Sequence, residues 1–401
     1  MSSTTEASAL CDCCGSDRLE AIYRPEDSER GLTVHLCRHC GLVQSLPRVD
    51  RVPRRETRVS SGADWGNVRY GKGFRAAAAI DRLARRLADI ARPAILDVGA
   101  SRGAFIEALR TLGLDARVTA VEPDMRVLGD YARDETIETI CERIEDVDLP
   151  SEAFDLVHSC HTLEHLRSPA ATLRDHWRVL KPGGLLYVDV PNLAFLASPN
   201  VVEEWFIDKH LYHFSNDTLG ALLRATGFRA VSLPDPRDTE NIALLAVKAT
   251  KEEAADANDP VARSALRLVA RYKERLGANR EALKTVAHRL EAMAGDGLVI
   301  WGAGRLFDAL VRYGGFDASR CAALVDRHLP AYVGERHGVA VLHPRDLPRL
   351  GARTVVAMSR TFAGEIEREA KELVPDIKVV SFAWLMAEQA AAPLAAAQGG
   401  R

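Results

Sequence analysis

The sequence lacks any run of about 18 apolar residues, so no membrane-spanning helix is expected. Its first ten residues, MSSTTEASAL, have no basic stretch followed by an apolar core, so no secretory signal is expected either. An excess of one charge is also missing. Lys and Arg number 53 against 56 Asp and Glu, a formal net charge of -3, and the two signs are interspersed. That balance argues against a nucleic-acid footprint or a basic membrane-facing stripe. The expectation is a cytoplasmic protein with small-molecule partners; composition leaves the oligomeric state open.

What is present is a 401-residue chain, 47% hydrophobic and 27% charged, long enough for two or three domains with separate cores. The pattern divides it into a cysteine module with linker (1–60), an α/β domain (61–250), a helical connector (251–295), a second, smaller α/β domain (296–390) and a disordered tail (391–401). In the first α/β domain Ile80, Leu83, Leu87 and Ile90 mark an amphipathic helix ahead of the strand AILDVG. Helices and strands then alternate to about residue 248, which predicts a mostly parallel sheet covered on both faces. Leu283, Val286, Leu290 and Met293 repeat at helical spacing in the connector, and GLVIWGAG restarts the alternation.

Five of the eight cysteines, Cys11, Cys13, Cys14, Cys37 and Cys40, crowd the first forty residues. Crowding of this kind points to metal in preference to disulfides. CDCC and CRHC supply two Cys-x-x-Cys pairs, Cys11/Cys14 and Cys37/Cys40, separated by 22 residues. Each turn aims two thiolates at one tetrahedral ion, with metal–sulfur distances of about 2.3 Å, and two turns close a structural Zn2+ site. The competing readings are plain surface cysteines, a redox pair, or a ligand set in which Cys13 or His39 replaces one cysteine.

ILDVGASRGAFIEAL reads as strand, glycine turn and helix, with Asp97 closing the strand and Gly99 and Gly103 in the turn. Glycines there let backbone approach a ligand at a helix N-terminus. Glu122 closes the next strand, 25 residues after Asp97, where a carboxylate can accept from both ribose hydroxyls. A dinucleotide dehydrogenase and an S-adenosylmethionine methyltransferase both use such a pair. DVGASRG together with FDLVHSCHTLEHLRSPAATLRDHWRVLKPGGLLYVDVPN resembles the class I S-adenosylmethionine-dependent methyltransferases over roughly residues 75 to 250. It departs at Ala100-Ser101, where a further glycine is usual. The resemblance implies S-adenosyl-L-methionine as cofactor, held by Asp97, Gly99, Ala100, Gly103, Glu122 and Pro123. It places Arg143 and Ile144 beside the adenine and Cys160 and His161 beside the methyl-bearing sulfur. His165, in LEHL, is weighed mainly as a packing residue.

VIWGAGRLFDALVRYG repeats the strand–glycine–helix idea with Gly302 and Gly304, and Asp326 closes the following strand. A lone Gly-x-Gly is weak evidence, and a Rossmann-like relic without cofactor is the preferred reading. CDCCGSD, CRHCGLVQS and ALVDRHLPAYVGERHGVAVLHPRDL extend the resemblance to the three-part, zinc-containing sugar-nucleotide C-methyltransferases of deoxysugar biosynthesis. By that resemblance the substrate is a nucleotide-linked sugar. The loop WFIDKHLYHFS keeps the family's last histidine as His210 but carries Ile207, Asp208 and Lys209 at the preceding positions and His213 at a tyrosine position. His210 is therefore the expected base, with His213, His161 and Tyr70 as further catalytic candidates. O-methylation of a hydroxyl and a non-catalytic binding scaffold are the alternatives.

Overall fold

The computed structural model describes residues 10–48, 71–250, 262–293 and 297–387, except positions 27, 236, 237, 239, 332 and 361. Tyr70 and the tail 391–401 lie outside the described residues, as does the linker from residue 49. The chain divides into two units, one of Met1–Thr57, Tyr70–Ala197 and Glu204–Ala270, the other of Arg58–Arg69, Ser198–Glu203 and Arg271–Arg401.

The first unit begins with three antiparallel strands, β1 (Leu19–Tyr23), β2 (Thr33–Cys37) and β3 (Val43–Leu46). After helix α1 (Gly71–Leu87) come β4 (Ala94–Val98), α2 (Ala104–Thr111), β5 (Arg117–Val121), β6 (Ile137–Ile140) and β7 (Phe154–Cys160). Helix α3 (Pro169–Val179) leads into the long strand β8 (Leu180–Pro191). The two-residue strand β9 (Tyr212–His213), α4 (Asn216–Ala225), β10 (Phe228–Ala230) and β11 (Asn241–Lys248) complete it.

Seven strands form one sheet in the order β10-β11-β8-β7-β4-β5-β6, parallel except for β11, which runs antiparallel to both its neighbours, β10 and β8. Side chains of α1 and α2, among them Leu83, Leu87, Phe105 and Ile106, bury one face, and Leu173, Leu219 and Leu222 of α3 and α4 the other. Burial on both faces explains the apolar runs in β4 and β8. The chain runs outward from β4 to β6 and returns beside β4 as β7. This reversal opens a crevice at the carboxyl ends of β4 and β7, where open α/β sheets bind ligands.

Three local features refine the sequence expectations. Ile90 lies beyond the end of α1, which stops at Leu87. The strand at LKPGG starts earlier than expected, at Leu180, because Phe154 pairs with Leu180 and the register then jumps to Leu156 with Leu185, bulging the glycine turn outward. The four-residue strand β6 and the separate β15 (Val339–Leu342) were not anticipated, since neither forms a long apolar run.

The second unit contains most of α5 (Ala262–Met293), a 32-residue helix whose Leu283, Val286, Ala287 and Leu290 are buried in that unit's core. Strand β12 (Leu298–Trp301), α6 (Arg305–Gly314), β13 (Ala323–Val325), β14 (Glu335–Arg336), β15, β16 (Thr354–Ala357), α7 (Ala363–Leu373) and β17 (Lys378–Ser381) follow. Their sheet order is β14-β15-β13-β12-β16-β17, parallel except for β14. The residues expected to form a connector thus supply core to this unit. Among the described residues no helix is long and apolar enough to cross a membrane.

Candidate active site

Asp97 is buried at the end of β4, and the chain then turns into α2 through Gly99 (φ 74°), Ser101 (φ 51°) and Gly103 (φ 79°). A Cβ on Gly99 would overlap the Thr162 hydroxyl, and one on Gly103 the Tyr131 ring, so both positions require glycine. Ser101 adopts the left-handed conformation itself, which preserves the turn where the resemblance had led us to expect another glycine. The Tyr131 hydroxyl donates to the Ser101 carbonyl at 2.9 Å, and the Ser101 amide donates to Glu122 Oε2 at 2.9 Å. The Asp124 amide holds the other oxygen of Glu122 at 3.0 Å.

His158 Nδ1 lies 2.7 Å from Asp97 Oδ1, its ring stacked on Phe105 with centroids 3.7 Å apart. Asp97 Oδ2 and Ser101 Oγ are buried without a hydrogen-bond partner. Buried polar atoms are nearly always paired, so two orphans beside a glycine turn fit a ligand that brings donors. An aminoacyl group and a ribose supply such donors, and the residues present therefore fit S-adenosylmethionine. Of the other expected contacts, Ala100 is buried in this turn and Pro123 is exposed beside Glu122. Arg143 is paired with Glu145 at 2.7 Å, whereas Ile144 packs into the core. Cys160 is half-buried at the end of β7.

The loop WFIDKHLYHFS is fixed residue by residue. Trp205 stacks on Phe195 at 5.1 Å, and Phe206 is fully buried against Tyr23. The Asp208 carboxylate accepts from the Ser28 hydroxyl at 2.5 Å and the Glu29 amide at 3.0 Å. Position 208, one of the departures from the resembled family, is thereby committed to the N-terminal module. Strand β9 is the fourth strand of the β1-β2-β3-β9 sheet, pairing Tyr212 with Gln44 and His213 with Val43. His213 Nε2 is 3.0 Å from Ser45 Oγ, the ring is 3% exposed, and burial pushes its pKa down to about 3. It is a neutral ring held between the module and the core. Ser215 caps α4 in a reciprocal pair with Thr218.

His210 and His161, unlike His213, are half-buried and belong to one cluster centred on Glu164. His161 carries a left-handed backbone (φ 51°) just past β7, and its amide donates to the Asp189 carbonyl at 2.8 Å. Its Nδ1 stands 3.4 Å from Glu164 Oε1, and His165 Nε2 stands 3.6 Å from the same oxygen. His165 Nδ1 donates to the Lys209 carbonyl at 2.7 Å, and the rings of His165 and His210 are 4.8 Å apart. Glu164 is 1% exposed, with neither oxygen in a hydrogen bond. Burial pushes its carboxyl up, but His165 and His161 outweigh that and hold it below the usual range. Burial also lowers His165, partly offset by Glu164.

A second buried carboxylate, Asp189 at the end of β8, is ion-paired with Arg75 of α1, which also reaches Asp238 at 3.4 Å. Burial raises the Asp189 carboxyl despite Arg75, and its Oδ2 is unpartnered. Sequence reasoning missed Glu164, Asp189 and Arg75. The signal for Asp189 was present, a charge inside the apolar strand LLYVDVP.

The sulfur atoms of Cys11, Cys14, Cys37 and Cys40 lie within 4.8 Å of one another, with Cys11–Cys40 at 3.4 Å and Cys14–Cys37 at 3.6 Å. A tetrahedral ion with bonds of about 2.3 Å has ligand–ligand edges of about 3.8 Å, so this donor set fits zinc. Asp12, inside the first turn, accepts from the Ser168 hydroxyl at 2.5 Å and the Ala170 amide at 2.8 Å, capping α3.

In the second unit, Gly302 (φ 108°) packs where a Cβ would crowd the Met358 carbonyl, and Asp326 Oδ1 accepts from the amides of His328 and Leu329.

Residues 72–233 match the family model of a methyltransferase domain. A curated relative, ubiquinone biosynthesis O-methyltransferase of Xanthomonas oryzae pv. oryzae (strain PXO99A), is 34% identical over 119 residues, 28% of this chain and 48% of that protein. The tRNA U34 carboxymethyltransferase of Marinobacter nauticus is 30% identical over 174 residues, 40% of this chain and 51% of that protein. The chain thus spans about half the length of these curated relatives. Among solved structures, the 1,6-didemethyltoxoflavin-N1-methyltransferase of Burkholderia thailandensis is 19% identical, covering 52% of this chain and 96% of that one with a TM-score of 0.35.

Proposed function

We propose that the protein transfers a methyl group from S-adenosylmethionine to a small-molecule acceptor. The observation that carries this reading is the cradle at the β4–α2 turn. Asp97 and Ser101 present unpartnered buried oxygens there, Gly99 and Gly103 admit close approach, and Glu122 stands at the neighbouring strand end. When bound, S-adenosylmethionine supplies an electrophilic methyl and its own leaving group. The chain's work is then orientation and proton transfer.

His161 is our candidate base. Glu164 Oε1 faces its Nδ1 at 3.4 Å, which favours the tautomer with a lone pair on Nε2 and stabilises the ring once protonated. The half-buried ring remains open to an acceptor. The sequence expectation gave this role first to His210, which lies beside His165 in the same Glu164 cluster. The four thiolates would hold structural zinc and so fix β3, whose partner β9 carries the loop after His210.

For the acceptor we propose a nucleotide-linked keto-sugar methylated at carbon, supported by the segments shared with the sugar C-methyltransferases. O-methylation is the second reading, favoured by the name of the Xanthomonas relative. Incubation with nucleotide-sugar pools and labelled S-adenosylmethionine tests the proposal: a product heavier by one methylene is expected, and no labelled product would refute it. Deuterium wash-in beside a ketone without methyl donor is expected for carbon chemistry, and its absence would favour oxygen.

A further inference from the structure

We propose that Glu164, His165 and His210 form a binding site for a divalent cation, distinct from the four-cysteine cluster, that holds an oxygen of the methyl acceptor. This rests on the methyl-transfer reading above for the acceptor, though the site itself is argued from its own chemistry. One carboxylate oxygen and two imidazole nitrogens from these residues lie within 4.8 Å of one another. Two imidazoles and a carboxylate form a common donor set for divalent first-row metals, leaving positions open for water or substrate.

Three observations favour an ion. Glu164 is buried, and apart from the long 3.4 Å approach of His161 Nδ1 to Oε1 its oxygens have no side-chain hydrogen-bond partner, a costly arrangement for a carboxylate without a cation. His165 Nδ1 bonds to the Lys209 carbonyl, so in the neutral ring the proton is on Nδ1 and Nε2 bears a lone pair. That lone pair faces Glu164 Oε1 at 3.6 Å, two acceptors aimed at each other, which calls for positive charge between them. A backbone carbonyl holding the far nitrogen is also the usual support of a metal-ligating histidine. Finally, the His210 ring comes from a different segment, held 4.8 Å from His165 by the Leu211 amide donating to the Glu164 carbonyl at 2.8 Å and by the His165 bond to the Lys209 carbonyl. The cluster is therefore assembled by the fold.

Such an ion would act as a Lewis acid on the acceptor oxygen, lowering the pKa of a hydroxyl or stabilising an enolate, while His161 takes the proton. The acceptor class is accordingly a molecule with an oxygen donor next to the methylated atom. Mn2+ titration of the purified full chain, followed by electron paramagnetic resonance, tests the site directly. Manganese suits a carboxylate–imidazole set and competes poorly for four thiolates. One bound Mn2+ per chain is expected, with nitrogen couplings from two imidazoles. Glu164→Gln should weaken binding at least about tenfold, and His210→Ala should remove one nitrogen coupling. Calorimetry with S-adenosylmethionine identifies variants that remain folded, and if Glu164→Gln does not, His210→Ala carries the test. No Mn2+ bound to the wild-type chain, or the same binding and couplings in folded variants, would overturn the cation site. Either result leaves the cofactor reading standing, since that is measured separately.

Discussion

At the scale of single residues, the same side chain takes different roles according to what encloses it. His213 and His161 are both histidines near the crevice, yet His213 is sealed against Ser45 and Phe206 while His161 keeps an open side and a carboxylate at its inner nitrogen. His161→Ala is therefore expected to lower kcat by roughly 10²–10⁴-fold with S-adenosylmethionine affinity unchanged, as steady-state kinetics and calorimetry would read. His176 offers a contrasting case. It is 1% exposed in α3, both ring nitrogens lack partners, and burial pushes its pKa down to about 4. The unfolded chain takes up that proton near pH 6.5, so the ring's contribution to stability is complete above that pH and is lost as pH falls toward 4. From pH 6.5 to 5 the loss is about 2 kcal/mol. Urea unfolding of His176→Leu should show equal or greater stability at pH 7 and a flatter decline to pH 5. An unchanged decline would disprove the assignment.

At the scale of elements, the N-terminal module is joined to the candidate site's loop and to α3. Its strand β3 pairs with β9, Asp208 caps its Ser28 turn, and Asp12 caps α3. The proposed S-adenosylmethionine cradle is built on the other sheet, from β4 and β5. Loss of the cysteine cluster should therefore separate the two functions. Cys40→Ser is expected to abolish methyl transfer while S-adenosylmethionine still binds within about threefold of its normal affinity, since a closed structural site acts through folding. Loss of both together in a folded variant would contradict this. The paired Cys-x-x-Cys turns, the glycine loop and the alternating strands were legible because short-range spacing fixes them. The pairing of β9 with β3 joins residues about 170 positions apart and leaves no local pattern. Glu164 was hidden for a related reason. Its neighbour His165 looked like helix packing, and only the arrival of His210 from another segment gives the pair a chemical setting.

At the scale of the whole molecule, two units with separate sheets and cores suggest two unfolding events instead of one. Saturating S-adenosylmethionine should raise only the transition of the unit containing Asp97 and Glu122, by about 2.7 kcal/mol at a hundredfold excess over Kd. Scanning calorimetry with and without the cofactor would read this, and equal shifts in both transitions would contradict it. The second unit's Gly302 turn was legible as a strand–glycine–helix repeat, but Asp326 spends its Oδ1 on its own turn.

The central claim, a methyl-donor site at the β4–α2 turn, is tested most directly by titrating the full chain with S-adenosylmethionine in a calorimeter. One saturable site per chain is expected, lost in Asp97→Ala and Glu122→Ala. No heat of binding, or binding that both substitutions leave untouched, would contradict it.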